Sequence, residues 1–172
     1  MNGDNDRLIF TSHIIIITQI NIMQQNLTTE TLTPENYRNA SVTPETIVDF
    51  LHEHLDKFRD PKNQIMNCLD YALGRIEGRK GFIMLAKEDN EILGVVVVCE
   101  TGMSGFVPEN LLVYIAVDQK TRGRGIGKIL IEKVIETARG DIALHVEPDN
   151  PALRLYQRAG FTNKYLEMRY RK

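Results

Sequence analysis

Val117-Asp118-Gln119-Lys120-Thr121-Arg122-Gly123-Arg124-Gly125-Ile126-Gly127-Lys128 joins an apolar, β-rich run to a stretch with helical apolar spacing, and this placement decides how the chain is read. Glycines at such a junction let main-chain amides approach a ligand without side-chain obstruction, and the unpaired N–H groups of a helix start favour an anion. Arg122, Arg124 and Lys128 add positive charge around the same point. The helix dipole alone contributes about 0.3–1 kcal/mol, so charge-assisted hydrogen bonds must supply most of any phosphate affinity. Spacing then separates the glycine-rich phosphate loops. A Walker A loop needs four residues before its Gly-Lys and then Ser or Thr, whereas Gly123 and Gly127 enclose three and Ile129 follows Lys128. A dinucleotide fingerprint needs a third glycine where Lys128 stands.

Working outward, the run before the loop, Leu111 to Val117, reads as a strand, and the stretch after it as a helix from about Arg124 to Ala138, closed by Arg139-Gly140. Upstream, Gly81 to Lys87 and Ile92 to Glu100 are β-rich runs flanking Glu88-Asp89-Asn90-Glu91, the composition of a hairpin turn. Val95 to Val98 is apolar on both faces, which predicts a central strand covered on both sides. Before these, Thr43-Pro44-Glu45 precedes Ile47, Phe50, Leu51 and Leu55, the spacing of an amphipathic helix with proline in its first turn. A second helix opens at Asp60-Pro61, lines one face with Ile65, Cys68, Leu69, Ala72 and Leu73, and ends at Gly74 or Gly78. Downstream follow a strand Ile142 to Val146, a helix Pro151 to Ala159 and a last strand Thr162 to Arg169. The order of two helices, three strands, helix, strand, helix and strand is that of a mixed α/β (α+β) domain.

Composition narrows the class without naming a partner. With 172 residues, 42% of them hydrophobic, the chain can bury roughly two thirds of its unfolded surface, enough for one core over residues 26–172. A formal charge of −2 gives no global field for nucleic acid or an anionic membrane, so neither is expected as a partner and any anion site is local. Cys68 and Cys99 sit at helical and strand positions, where free cysteines behave as small buried hydrophobes, in keeping with a reducing, cytoplasmic setting and no metal. Residues 1–25 are expected to form a leader or an extra edge strand, with Met23 as an alternative start. Asp4 and Asp6 stand where a signal peptide carries positive charge, and the run Ile14 to Ile17 is too short to span a bilayer.

Arg122, Gly125 and Gly127 form Arg-x-x-Gly-x-Gly, which resembles the pyrophosphate loop of the GNAT superfamily of acetyltransferases. A second motif lies downstream in the right order. Asp149-Asn150-Pro151-Ala152-Leu153-Arg154-Leu155-Tyr156, continuing to Gly160-Phe161, is similar to the family's asparagine-to-Leu-Tyr helix and its Gly-Phe strand entry. The resemblance runs from about residue 81 to residue 168. It departs from the commoner form in one respect, since Asn150 lies six residues before Tyr156 and Asp149 takes the seventh place. Asn150 followed by Pro151 also reads as an ordinary helix cap, and both readings stand.

The resemblance implies a mixed, mostly antiparallel sheet that splays between its fourth and fifth strands, with helices on both faces. Leu111–Val117 and Ile142–Val146 would flank that opening. It further implies acetyl-CoA as co-substrate, with Ile115, Ala116 and Val117 beside the pantetheine arm. Arg122, Gly123, Arg124, Gly125, Ile126, Gly127 and Lys128 would hold the pyrophosphate, and Asn150 is a further cofactor contact. A backbone N–H near Ile115 would face the thioester oxygen. In this family an amine attacks the thioester directly, and Tyr156 matches the tyrosine that returns a proton to the departing sulfur; without the family it reads as a core aromatic. A lysine-like amine is deprotonated about once in 10³ at pH 7, a deficit of roughly 4.6 kcal/mol that a base or desolvation must address. Many relatives carry a glutamate on the fourth strand, but this chain has Leu111, Val113 and Tyr114 there. His145 occupies the place where some members carry a catalytic glutamate; Glu147, Glu100 and Glu109 are rivals.

The expected activity is therefore acetyl transfer to a small-molecule or peptide amine. The alternatives are a catalytically silent acyl-CoA-binding sensor and, less compatible with the spacing, a nucleotide-binding domain. The acceptor should be chosen by the two N-terminal helices, the loop Thr101 to Asn110 and the last strand. Glu53, Asp56, Asp60 and Asp70 could welcome a cation there, although a solvated helix face explains the same charges.

Overall fold

Asp89 and Asn90 take positive φ of 49° and 69°, the backbone of a tight hairpin turn, and join β2 (Gly81–Glu88) to β3 (Glu91–Glu100) in antiparallel register. The computed structural model describes residues 26–172, so the leader expected over residues 1–25 lies outside the described residues. Around this hairpin the sheet runs in the order β1-β2-β3-β4-β5, with β1 Thr28–Leu32, β4 Asn110–Val117 and β5 Ile142–Leu144. Every neighbouring pair is antiparallel except β4 and β5.

Helices cover both faces. α1 (Pro44–His54) and α2 (Lys62–Ala72) pack Ile47, Leu51, Ile65 and Leu69 against Ile83, Leu85, Val95 and Val97. α3 (Ile126–Thr137) and the short α4 (Leu153–Arg158) pack Ile126, Leu130, Val134 and Tyr156 against Met84, Val96 and Val98 on the other side. Val95 to Val98 are all fully buried, as a strand apolar on both faces requires. Gly94 allows the close seat of α3: a Cβ there would lie 2.8 Å from Leu130 Cδ1 and 3.0 Å from Ile126 Cγ2.

Helix ends follow the local chemistry. Thr43 caps α1 by accepting from the Thr46 amide at 3.3 Å, with Pro44 as first helical residue. α2 ends at Gly74, where φ is 67° and the Arg75 amide reaches back to the Asp70 carbonyl at 2.9 Å.

In the sheet, two expectations are corrected and one strand is unforeseen. Thr162 to Arg169 forms no strand; the segment has no partner edge among the described residues, and Leu166, Met168 and Tyr170 stand exposed. β5 stops at Leu144, so His145 and Val146 follow the strand. β1 was not anticipated, because Thr28-Thr29-Glu30-Thr31-Leu32 buries only Leu32 and carries little apolar alternation.

Candidate active site

The decisive local event is a bulge in β4. Val97 pairs with Tyr114 and Val98 with Leu112, so Val113 is an extra residue on β4. Parallel pairing with β5 covers only Asn110, Leu111 and Leu112, opposite Ile142, Ala143 and Leu144. From Val113 to Val117 no described strand pairs with the outer edge of β4. β5 itself ends at Leu144, so the edge of β4 beyond Leu112 borders an opening. Its closed end lies at Leu112 and Leu144, and its β4 side runs into the glycine loop.

Asn110 holds the closed end together. It is buried, and its side-chain amide donates to the carbonyls of Arg139 at 2.8 Å and Asp141 at 3.2 Å. Glu109, beside it, accepts from Ser104 Oγ at 2.8 Å and from the Asp141 amide at 2.8 Å. These hydrogen bonds, Ser104 first, hold its carboxyl down at about 2. A carboxylate so occupied and so weakly basic is unsuited to take a proton from an amine near neutrality.

Beyond the open edge, Gly123 and Gly125 take left-handed φ of 87° and 83°, and Gly125 precedes α3 without a side-chain cap. The first helical bond runs from the Ile129 amide to the Gly125 carbonyl. The amides of Gly125, Ile126, Gly127 and Lys128 find no acceptor among the described residues, which leaves a four-donor cradle for an anion. Gly127 also lets α4 approach, since a Cβ there would lie 3.2 Å from Leu155 Cδ2. The cations around the loop differ in availability. Arg124 forms a bidentate pair with Glu88 at 2.7 and 3.1 Å, Arg122 donates to the His54 carbonyl at 3.0 Å, and Lys128 stays exposed 3.5 Å from Glu132. Arg124 is therefore committed on both counts, its guanidinium to Glu88 and its amide to the Thr121 carbonyl at 3.3 Å.

Tyr156 lies on α4 in the same packed cluster as Leu112, Ile115 and Val117, edge-on to Phe161 with ring centroids 5.9 Å apart. The residue is 6% exposed, and burial pushes its phenol up to about 12. No described residue hydrogen-bonds its hydroxyl. Since no fully buried side-chain oxygen among the described residues lacks a partner, that hydroxyl retains contact with solvent. It is a protonated, uncommitted donor.

The remaining candidates are placed as follows. His145 follows Leu144 at the closed end; its side chain is 55% exposed, with Nε2 3.8 Å from Glu167 Oε2. Asn150 caps the turn into α4, its Oδ1 accepting from the Ala152 amide at 2.9 Å, and α4 starts at Leu153 instead of Pro151. Asn150 also lines a cavity of about 390 Å³ with Pro148, Asp149, Pro151, Leu153 and Arg154. Glu100 pairs with Lys80 at 3.1 Å. Cys68 and Cys99 face each other with sulfurs 3.8 Å apart, within or against the core.

Sequence reasoning missed two contacts that shape the site. Tyr114, buried on β4 just beyond the bulge, donates to Asp60 Oδ2 at 2.7 Å, and burial together with this carboxylate pushes its phenol upward. Lys57 reaches Asp149 across 92 residues at 2.7 Å. With Arg122 on the His54 carbonyl, these bonds draw the α1–α2 linker across the opening. No signal in one sequence marks such long-range pairs. Among the described residues no cluster of His, Cys, Asp or Glu could hold a metal, and no helix is long and apolar enough to cross a membrane.

Residues 42–161 match the family model described as the acetyltransferase (GNAT) family. A 5-NmdU N-acetyltransferase of Pseudomonas phage PaMx11 is 35% identical over 106 residues, which cover 60% of this chain and 70% of the phage protein. Among solved structures, a transcriptional regulator from Bacillus halodurans C-125 is 21% identical with a TM-score of 0.60, over 85% of this chain and 99% of that one. The aminoglycoside N-acetyltransferase AAC(6')-Iy in complex with CoA is 16% identical with a TM-score of 0.59, over 85% and 94% of the two chains.

Proposed function

The chain belongs to the acetyltransferase (GNAT) family, and from that premise we propose that it is an acetyl-CoA-dependent N-acetyltransferase. The observation that carries the reading is the open β4 edge running into four unbonded amides at the start of α3. An extended pantetheine can add to the edge at Ile115, Ala116 and Val117 as a further strand would, while the CoA pyrophosphate accepts from the amides of Gly125 through Lys128. Arg122 and Lys128 supply charge to the same group. The acetyl thioester then lies toward the closed end, where a β4 amide near Ile115 can stabilise the oxyanion.

In the proposed reaction the acceptor nitrogen attacks the thioester carbon, a C–N bond forms, and the C–S bond breaks. Tyr156 donates its proton to the departing sulfur. Its raised pKa keeps that proton in place through the neutral range, which supports the acid role. His145, at the closed end and accessible to solvent, takes the proton of the incoming amine and can pass it to water. Asn150 contributes by shaping the turn into α4.

For the acceptor we propose 5-NmdU or an amine of similar chemistry, on the strength of the phage relative. The test is release of free thiol from acetyl-CoA in the presence of 5-NmdU, with spermidine as a chemically distant amine. Preferred turnover of 5-NmdU supports the assignment, and release with spermidine alone rejects this acceptor while leaving acetyl transfer intact.

A further inference from the structure

Pairing of β4 with β5 ends at Leu112 and Leu144, and just beyond that point come Tyr114 on β4 and His145 after β5. Each carries a carboxylate. Tyr114 donates to Asp60 at 2.7 Å, and His145 lies 3.8 Å from Glu167. Asp60 belongs to the α1–α2 linker, which is pinned by Arg122 at His54, by Lys57 at Asp149 and by Tyr114 at Asp60 itself. The linker thus roofs the opening, and Asp60 is the acidic residue of that roof bonded directly to the open part of β4.

We propose that Asp60, positioned by Tyr114, is the carboxylate that binds the cationic nitrogen of the acceptor before transfer. This assignment rests on the acetyltransferase reading and gives it a substrate class, amines that arrive protonated. The geometry supplies the reasons. The Tyr114 hydroxyl engages Oδ2 alone, and no described residue hydrogen-bonds Oδ1. The carboxylate is half-buried, so an ion pair made there is less screened than one on the open surface. The free Oδ1 can accept from an acceptor ammonium. Acetylation turns that ammonium into a neutral amide, so the same carboxylate that favours substrate has no charge to hold in the product.

The experiment uses the full chain and compares wild type with Asp60→Asn, Asp60→Glu and Tyr114→Phe. Steady-state thiol release is measured with 5-NmdU and with spermidine, and product inhibition with N-acetylated 5-NmdU. Thermal stabilisation by acetyl-CoA checks that each variant is folded. Losing a charge-assisted hydrogen bond corresponds to a change of between about 10- and 100-fold. Asp60→Asn is expected to raise KM for the amine by that factor with kcat changed far less, and to leave inhibition by the neutral product within about twofold. Asp60→Glu should recover part of the loss, and Tyr114→Phe should move KM in the same direction by a smaller factor. An unchanged KM in Asp60→Asn overturns the assignment and leaves acetyl transfer standing. Equal weakening of amine and neutral product also overturns it, because a merely structural role acts on both. If the wild type releases no thiol with either amine, the acetyltransferase reading fails and the assignment falls with it.

Discussion

Leu112 and Tyr114, two positions apart on one strand, face opposite sides of the sheet, because Val113 between them is the extra residue of a bulge. Leu112 joins the core under α3, whereas Tyr114 joins the core under α1 and α2. Without the bulge both side chains would share a face. Pairing with β5 ends at Leu112, next to the bulge, so the inserted residue lies where the open edge of β4 begins and sets the face on which Tyr114 lies.

Asn110 is the clamp at the closed end, and its replacement by alanine should loosen β5. The lost side-chain hydrogen bonds leave the Arg139 carbonyl short of a donor, while the Asp141 carbonyl keeps the backbone amide of residue 110 at 3.0 Å, at a cost of about 1–3 kcal/mol. Chemical denaturation of Asn110→Ala measures this directly; a stability equal to wild type rejects the clamp.

Tyr156→Phe should lower kcat at least tenfold and leave acetyl-CoA affinity nearly unchanged, because in the proposed mechanism the hydroxyl acts only in the transition state. With a phenol pushed up to about 12 by burial, Tyr156 stays protonated to well above pH 10, so it should impose no fall in wild-type kcat between pH 7 and 10. The folded pKa lies above the ordinary value near 10, so its linked stability is fully present below pH 10 and is lost as pH rises toward 12. His145→Ala should lower kcat while retaining acetyl-CoA binding; wild-type turnover in that variant sends the proton elsewhere.

Gly125→Ala places a side chain at φ 83°, a strain of about 1–2 kcal/mol, and turns the cradle amides. Nothing lies within 4 Å of a Cβ built there, so packing does not add to the effect. CoA affinity should fall by tenfold or more while the core stays intact, as titration calorimetry and thermal unfolding of the ligand-free protein will report. Unaltered CoA affinity contradicts the cradle.

Glu109 is held at about 2 by Ser104 and the Asp141 amide, below its ordinary 4.5. A carboxyl with a depressed folded pKa stabilises the protein above about pH 4.5, and that contribution disappears as pH falls toward 2. The melting temperatures of wild type and Glu109→Gln should therefore differ most above pH 5 and converge on acidification. A gap independent of pH excludes this linkage.

Much of this architecture was legible because the relevant signals are local. Asp89-Asn90 demands a hairpin, Val95 to Val98 demands burial on both faces, and Thr43-Pro44 demands a helix start. The glycine loop was readable for the same reason, since Gly123 and Gly125 carry φ values that other residues avoid. What failed was non-local. β1 is an edge strand whose pairing comes from β2 rather than from its own residues, and Thr162 to Arg169 alternates like a strand but meets no edge. Asp60 could not be singled out from Glu53, Asp56 and Asp70, because only the fold brings Tyr114 to it across 54 residues.

The central claim is that the opening of β4 and the start of α3 together bind an acyl-CoA, and thermal unfolding with acetyl-CoA, CoA, ATP and NAD in parallel tests it most directly. A ligand present at 100 times its dissociation constant adds about 2.7 kcal/mol to stability. Stabilisation by acetyl-CoA and CoA, reduced in Gly125→Ala, is the result expected; stabilisation by ATP or NAD without any by CoA would contradict the account.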